Sequence, residues 1–441
     1  MRHVVVIGAG AAGLTAAIRA GEAGARVTLL NAHPKVGLKI LMSGGTRCNV
    51  THQRVDERDF HGGSRNVIAR ILRAFTATQA MAWFTDDLGV PLKLEDTGKY
   101  FPESDDAQSV LDALLAAAQR AGVVLRCGAR VIQLEREVEG AWQVGVQRMN
   151  DSASFGSAVH AFGGTQWELP ERAPDEWVAA DAVILATGGL SFPRTGSDGT
   201  GYALATSVGH TIVAPVPALT PLGAADTLCE AAQGVTLEVE LTLWRGAKRE
   251  ATSRGSFLIT HFGYSGPAAL DLSRHWNRAV ADGVTSGMRV TANFAPGKTR
   301  EKLQDEWLAA AARGPKLSVR GHLGEWLPLR LASELAWEAE IDPVRPLAQV
   351  SKVRRDALLS VLTERDMHVN ATLGYEKAEV TAGGVPLAEV DSSTLESRLV
   401  KGLWLCGEVL DVEGRLGGFN FQWAWSSGTV AGRAAATSVV A

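Results

Sequence analysis

The sequence predicts an α/β fold in which a Rossmann-like dinucleotide-binding domain is interrupted by a β-rich plus helical insertion domain. Three observations carry that expectation. The chain opens with a strand, a glycine turn, a helix and a second strand in the spacing of a β-α-β unit. Three apolar strands far apart in the chain each end in a glycine motif, at Gly8, at Ala186 to Gly189 (ATGG) and at Cys406 to Glu408 (CGE). In a doubly wound sheet such strand ends converge on one ligand-binding edge. Finally, the character of the chain changes after Thr195 and reverts near Tyr375.

Val4 to Ile7 is an apolar run with the branching that a buried strand prefers. Gly8, Gly10 and Gly13 follow as GxGxxG. The first permits a tight turn, the second lets backbone approach a pyrophosphate, and the third lets the helix pack close to the strand. The helix predicted from Ala11 to Ala23 aims its first N–H groups, Ala11 and Ala12 among them, at that phosphate. Val27 to Leu30 is the second strand, and Asn31 stands where an acid would take the ribose hydroxyls. An amide donates and accepts there without a carboxylate's repulsion of a 2′-phosphate.

Beyond this unit lies a second glycine-bearing segment, Lys35 to Asn49, then helices predicted at Val67 to Leu88 and Ala107 to Ala121. Short strands are expected around 123–126, 129–134 and 142–146. Met149 to Trp177 turns polar and glycine-rich, which reads as an exposed loop that could act as a lid. Asp181 to Ala186 is a buried strand. Strands near 236–244, 256–259 and 289–294 and helices near 300–311, 327–339 and 350–362 make up the insertion. A strand at Leu403 to Leu405 and a final helix from about Gly418 to Ala435 complete the chain. The division predicted is 1–195 and 375–441 for the nucleotide domain, 196–299 for the β-rich part and 300–374 for the helical part.

Composition narrows the function. The formal net charge is −4, so no basic field argues for nucleic acid. Cys48, Cys127, Cys229 and Cys406 are scattered without CxxC or metal-ligand spacing, which predicts reduced thiols and no metal. No apolar stretch has the length of a membrane span, and strand one begins at residue 4, so a cytoplasmic protein is expected. Gly297-Lys298-Thr299 has Ala292 where a P-loop needs glycine, and no second GxGxxG appears in the middle of the chain.

The three glycine-ended strands together resemble the two-dinucleotide-fold flavoproteins, the superfamily of glutathione reductase and the fumarate reductase flavoprotein. That resemblance implies FAD, with Thr187, Gly188, Gly189 and Val131 near the cofactor and Gly407 and Glu408 at its ribityl chain. It narrows further. Gly37-x-Lys39-x-x-x-Ser43-Gly44-Gly45-Thr46-Arg47-Cys48-Asn49 is similar to the GxKxxxSGGGRCN signature of the BaiN-like, or aminoacetone-oxidase, family of NAD(P)/FAD-dependent oxidoreductases. Segments 186–210, 260–274 and 402–428 resemble the same family. Thr46 departs from it at the third glycine and Asn31 at the usual acid.

Beside the resemblance, Lys39 and Arg47 flank Gly44-Gly45 and bring positive charge to a diphosphate or to the flavin N1–C2=O edge. Gly417, Gly418, Phe419 and Asn420 at a helix start offer N–H groups to the flavin pyrimidine. For catalysis, His261, Cys48 and Arg47 are the candidates. The expected activity is hydride transfer between a small organic substrate and flavin N5, with NAD(P)H as a transient co-substrate. Two other readings stand beside it: a flavin-dependent tRNA-modifying protein, which needs a basic face, and a non-enzymatic dinucleotide sensor.

Overall fold

A computed structural model of the chain describes residues 1–137, 140–149 and 169–438. Most of the loop predicted at 149–177 lies outside the described residues. The chain divides into two units, Met1–Pro217 with Glu379–Ala441, and Ala218–Ala378.

The first unit is built on a five-stranded sheet. Its strands are β1 (His3–Ile7), β2 (Arg26–Asn31), β3 (Val124–Cys127), β4 (Ala182–Leu185) and β5 (Leu403–Leu405), in the order β5-β4-β1-β2-β3. Every pairing is parallel, with Val4 opposite both Val27 and Ala182, and Ile184 opposite Trp404. Each residue of β1 and β4 is buried. That explains their uninterrupted apolar runs, because strands covered on both faces show no alternation.

Helix α1 (Ala11–Glu22) and the last helix, α2 (Phe419–Thr437), lie against one another through glycine. A Cβ on Gly428 would stand 2.6 Å from the Ala12 carbonyl oxygen, and one on Gly432 2.3 Å from that of Ala16. Both pairs advance by four residues in the same sense, so the helices run parallel. Since α2 begins nine residues before Gly428, its N-terminus overhangs the level of Ala12 by about 13 Å at 1.5 Å per residue.

The helix predicted over Val67 to Leu88 is broken. Arg65–Ala74 ends at Phe75, which is extended, and Thr76 starts Ala77–Ala82 with a reciprocal cap from Gln79. Trp83–Asp87 then forms a wider π turn. The capping signal at Thr76-x-x-Gln79 outweighs the continuous apolar spacing.

The second unit holds a seven-stranded antiparallel sheet in the order Arg365–Asp366, Met288–Asn293, Thr236–Arg245, Lys248–Thr260, Gly263–Ser265, Leu222–Ala224, Val369–Thr372. Its core runs from Leu222 to Met367 and includes Trp307, Leu335 and Leu359 from the helices. The β-rich and helical parts, divided at 299/300 in the sequence reading, therefore share one core. The unit's borders also differ from 195/196 and 374/375, because Val213–Ala218 pairs with Val380–Gly384. One long helix, Pro267–Ala281, has no counterpart in the sequence reading. Its signal was Pro267 in the first turn, where a missing N–H costs nothing.

Candidate cofactor site

The GxGxxG turn connects β1 to α1, and each glycine has its own reason. Gly8 has φ +102°, and a Cβ there would approach the Ala186 carbonyl oxygen to 2.5 Å. On Gly13 a Cβ would lie 1.8 Å from the Gly8 oxygen, so the helix and turn touch through this residue. A Cβ on Gly10 would meet no protein atom within 4 Å, and Gly10 has ordinary extended backbone. The chain therefore needs Gly8 and Gly13 for its own packing, whereas Gly10 borders a cradle in front of α1. No side chain caps α1 and no acid lies in its first turn, which contains Ala11 and Ala12. Its dipole end is left for an anion.

Asn31 at the end of β2 is engaged by the protein itself. Its carbonyl oxygen accepts from the Ala9 N–H at 3.1 Å, and its amide donates to the carbonyls of His33 (2.6 Å) and Lys35 (3.1 Å). The side chain thus ties the glycine turn to the chain beyond β2.

The signature segment enters as a helix, Leu38–Thr46, that kinks at Ser43–Gly45. Gly44, Gly45, Thr46 and Cys48 all have left-handed backbone, φ +57°, +67°, +69° and +61°. Thr46, which replaces the third glycine, keeps the glycine conformation with a β-branched side chain, a strained arrangement. The Ser43 hydroxyl donates to the Ile40 carbonyl. Asn49 is buried, and with both ends of its amide satisfied it donates to the carbonyls of Thr51 and Tyr100 and accepts from the Gly418 N–H at 3.0 Å. It joins the segment to the start of α2.

Two catalytic candidates lose ground here. Cys48 is fully buried, and burial pushes its thiol up to about 12, so it carries no thiolate at neutral pH. The Arg47 guanidinium bonds Glu95 at 2.7 Å and stacks 4.0 Å over the Phe101 ring, so it is used to pin the loop. Lys39 has a different setting. Its Nζ donates to the Ser191 hydroxyl at 2.7 Å and to the Glu408 carboxylate at 3.0 Å.

Glu408 follows β5 and is the centre of a network. Its other oxygen accepts from the Ser191 hydroxyl and from the Thr381 N–H at 2.8 Å. The Thr381 hydroxyl in turn accepts from the Leu190 and Ser191 N–H groups after the ATGG turn. A Cβ on Gly189 would strike both Thr381 and Glu408. Gly188 has φ +74° and Gly407 φ +76°, and a Cβ on Gly407 would lie 2.6 Å from that of Ala12. The structure therefore brings Thr187, Gly188, Gly189, Gly407, Glu408 and Lys39 together at the carboxyl edge of the sheet. Ser191 and Thr381 were missed in the sequence. The signal was Thr381-Ala382-Gly383-Gly384, which repeats the composition of the ATGG turn.

Val131 is buried in Ala129–Arg136, beside a register shift between Val131 and Gln133 that interrupts the ladder with Trp142–Arg148. Gly417 and Gly418 have φ +131° and +89° at the entry to α2, which has no side-chain cap and no acid in its first turn. Phe419 packs against His52 (ring centroids 4.8 Å apart), and the Asn420 amide exchanges two hydrogen bonds with the Gly414 backbone. The resulting loop holds open a second helix N-terminus. His261 lies in the other unit, exposed at the turn between Lys248–Thr260 and Gly263–Ser265, with its ring edge against Phe262. Among the described residues no group of His, Cys, Asp or Glu is placed to hold a metal ion, and no helix is long and apolar enough to cross a membrane.

The profile of the HI0933-like protein Rossmann domain matches residues 2–170 and 168–434. A 3-dehydro-bile acid delta(4,6)-reductase of Clostridium scindens is 32% identical over 440 residues, covering 99% of each chain. A ribosomal RNA dihydrouridine synthase of Escherichia coli is 33% identical over 430 residues, 96% of this chain and 95% of the other. Among solved structures, a 3-ketosteroid-delta4-(5alpha)-dehydrogenase from Rhodococcus jostii RHA1 superposes with a TM-score of 0.50 at 15% identity, over 99% of this chain and 97% of that one. This likeness shows the shared fold.

Proposed function

The chain belongs to the HI0933-like Rossmann-domain family, and on that premise we propose that it is an FAD-dependent reductase of a carbon–carbon double bond conjugated to a carbonyl. The names of two of its relatives share that bond chemistry. A 3-dehydro-bile acid delta(4,6)-reductase and a dihydrouridine synthase each remove unsaturation conjugated to a ring carbonyl. In this reading NAD(P)H supplies the hydride, which reaches the β-carbon of the substrate, and a proton reaches the α-carbon.

The observation that carries the reading is the pair of uncapped, parallel helix N-termini at α1 and α2, offset along one direction by about 13 Å. One suits a diphosphate, and the other suits the electron-rich pyrimidine edge of a reduced ring farther along the same molecule. The cradle beside Gly10 fits the close approach of a pyrophosphate. Bound there, FAD supplies two-electron chemistry at its N5. The chain's residues do the rest: Glu408 accepts hydroxyl hydrogen bonds from the ribityl chain, and Lys39 neutralises Glu408 while remaining within reach of the same site. The N–H groups of Phe419 and Asn420 at the helix start favour negative charge on the ring and so favour its reduction.

Anaerobic stopped-flow mixing of the yellow holoprotein with NADH and with NADPH tests this, followed by addition of a 3-oxo-Δ4 steroid as a ring enone. The expected result is bleaching of the flavin band by one nucleotide and its rapid recovery with the enone. Colourless protein that added FAD cannot reconstitute overturns the cofactor assignment. Recovery no faster with the enone than with its saturated analogue overturns the substrate class.

A further inference from the structure

The two strand ends that carry Glu408 and the ATGG turn are fastened together by a third segment. Val380–Gly384 is no part of the five-stranded sheet and pairs instead with Val213–Ala218. The chain re-enters this unit at Glu379, after the insertion. Two residues on, Thr381 is 1% exposed and meets both strand ends at once. Its N–H donates to the Glu408 carboxylate at 2.8 Å, beyond β5. Its hydroxyl oxygen accepts from the N–H groups of Leu190 at 2.7 Å and Ser191 at 3.1 Å, beyond β4. The Glu379 carbonyl adds an acceptor for the Ser191 hydroxyl at 3.2 Å.

Any residue but proline could supply the N–H to Glu408, whereas the hydroxyl is specific. Leu190 and Ser191 are 5% and 0% exposed, so each N–H needs an acceptor within the protein. One oxygen with two lone pairs serves both, and a hydroxyl offers that without added length. The fit is close: a Cβ on Gly189 would lie 2.5 Å from the Thr381 hydroxyl oxygen and 2.8 Å from Glu408 Oε1. Valine has the shape of threonine without the acceptor, and in its place the two buried donors go unmet.

We propose that Thr381 is a positioning residue for the flavin cofactor, holding Glu408 and the ATGG turn at a fixed mutual distance before FAD arrives. It acts through those two groups and need not touch the cofactor itself. Setting both sides of the grip in advance removes an ordering cost from binding. Without the hydroxyl, the empty turn relaxes until its N–H groups find water or another acceptor. Bound FAD demands the original geometry, so the loss falls on affinity. The proposal rests on the cofactor assignment and is independent of the substrate class.

The test titrates FAD into the full-length apoprotein of the wild type, Thr381→Val and Thr381→Ser, read by the change in flavin fluorescence. One unmet buried N–H costs about fivefold and here there are two, so valine is expected to weaken binding about tenfold or more. Serine keeps the acceptor and should stay within about threefold of the wild type. The visible circular dichroism of the bound flavin, taken at saturating FAD, should change with valine and return with serine. If Thr381→Val does not fold, Thr381→Ala leaves room beside the two N–H groups and is expected to weaken binding about fivefold, with the same rescue by serine.

A valine variant that binds FAD within about twofold of the wild type overturns the proposal. So does one whose apoprotein melts at a lower temperature while its affinity and circular dichroism are unchanged, which assigns the hydroxyl to folding alone. Serine that loses as much affinity as valine also overturns it, because the acceptor is then not what matters. Wild-type apoprotein that binds no FAD overturns the cofactor assignment together with the proposal. Normal wild-type binding beside an unaffected valine variant removes the role of Thr381 and leaves the cofactor assignment standing.

Discussion

Replacing Arg365 by methionine is expected to destabilise the insertion unit by about 3–5 kcal/mol, the cost of leaving one partner of a buried ion pair alone. The Asp226 side chain is 1% exposed and that of Arg365 3%. The guanidinium reaches Asp226 through two nitrogens, at 2.5 and 2.9 Å, and Glu338 through a third at 2.7 Å. The Tyr264 hydroxyl donates to the same Asp226 oxygen at 2.5 Å. Burial works against the charge on Asp226, but the hydrogen bonds from Arg365 and Tyr264 outweigh it and hold the carboxyl below its usual range. Methionine fills the space of the stem but brings no donor, so Asp226 must either remain charged without a cation or take up a proton.

The insertion spans Ala218–Ala378, about 160 residues, and unfolding entropy near 2.1 cal/mol/K per residue converts 4 kcal/mol into a melting shift of roughly 12 °C. The pH dependence gives a second readout. The wild type draws stability from the depressed carboxyl above the unfolded pKa near 3.9, and loses it as pH falls through the folded value. In the variant the carboxyl rises above the unfolded value, so its penalty is full at pH 7 and shrinks as the group protonates on acidification. Thermal melts followed by tryptophan fluorescence at pH 7 and pH 4.5 should therefore show a smaller gap at the lower pH. A pH 7 shift under 3 °C, or a gap that widens on acidification, refutes the electrostatic account. The paired Asp226→Leu/Arg365→Met variant should recover much of the loss.

Gly10→Ala should fold with a wild-type melting temperature, because a Cβ there meets no protein atom within 4 Å, yet purify colourless and resist reconstitution with FAD; a yellow variant would place the diphosphate elsewhere. Thr46→Gly should raise stability by about 1 kcal/mol, since relief of the left-handed strain outweighs glycine's greater unfolded entropy; calorimetry showing a lower melting temperature contradicts this. Titration of the native protein with a disulfide reagent should modify Cys127 alone, because Cys48, Cys229 and Cys406 are buried. Four thiols should react after unfolding, and a rapid second thiol in the native state would show that the site opens.

How much of this was legible in the chain depended on whether the signal was local. The three glycine-ended strands were readable because burial on both faces leaves an unbroken apolar run, and because each glycine motif sits directly after its strand. Lys39 was readable from its motif, but its use was not: Nζ meets Ser191 and Glu408, residues 152 and 369 positions away, and only the folded sheet joins them. Asn31 shows the opposite case. Read locally it faced a ribose, whereas the fold engages its amide at Ala9, His33 and Lys35, an arrangement open to an amide and closed to a carboxylate, which cannot donate. The substitution of amide for acid thus has a structural cause in the glycine turn itself. Periodicity and motif report what neighbours along the chain do; charge fields and ion-pair networks belong to neighbours in space.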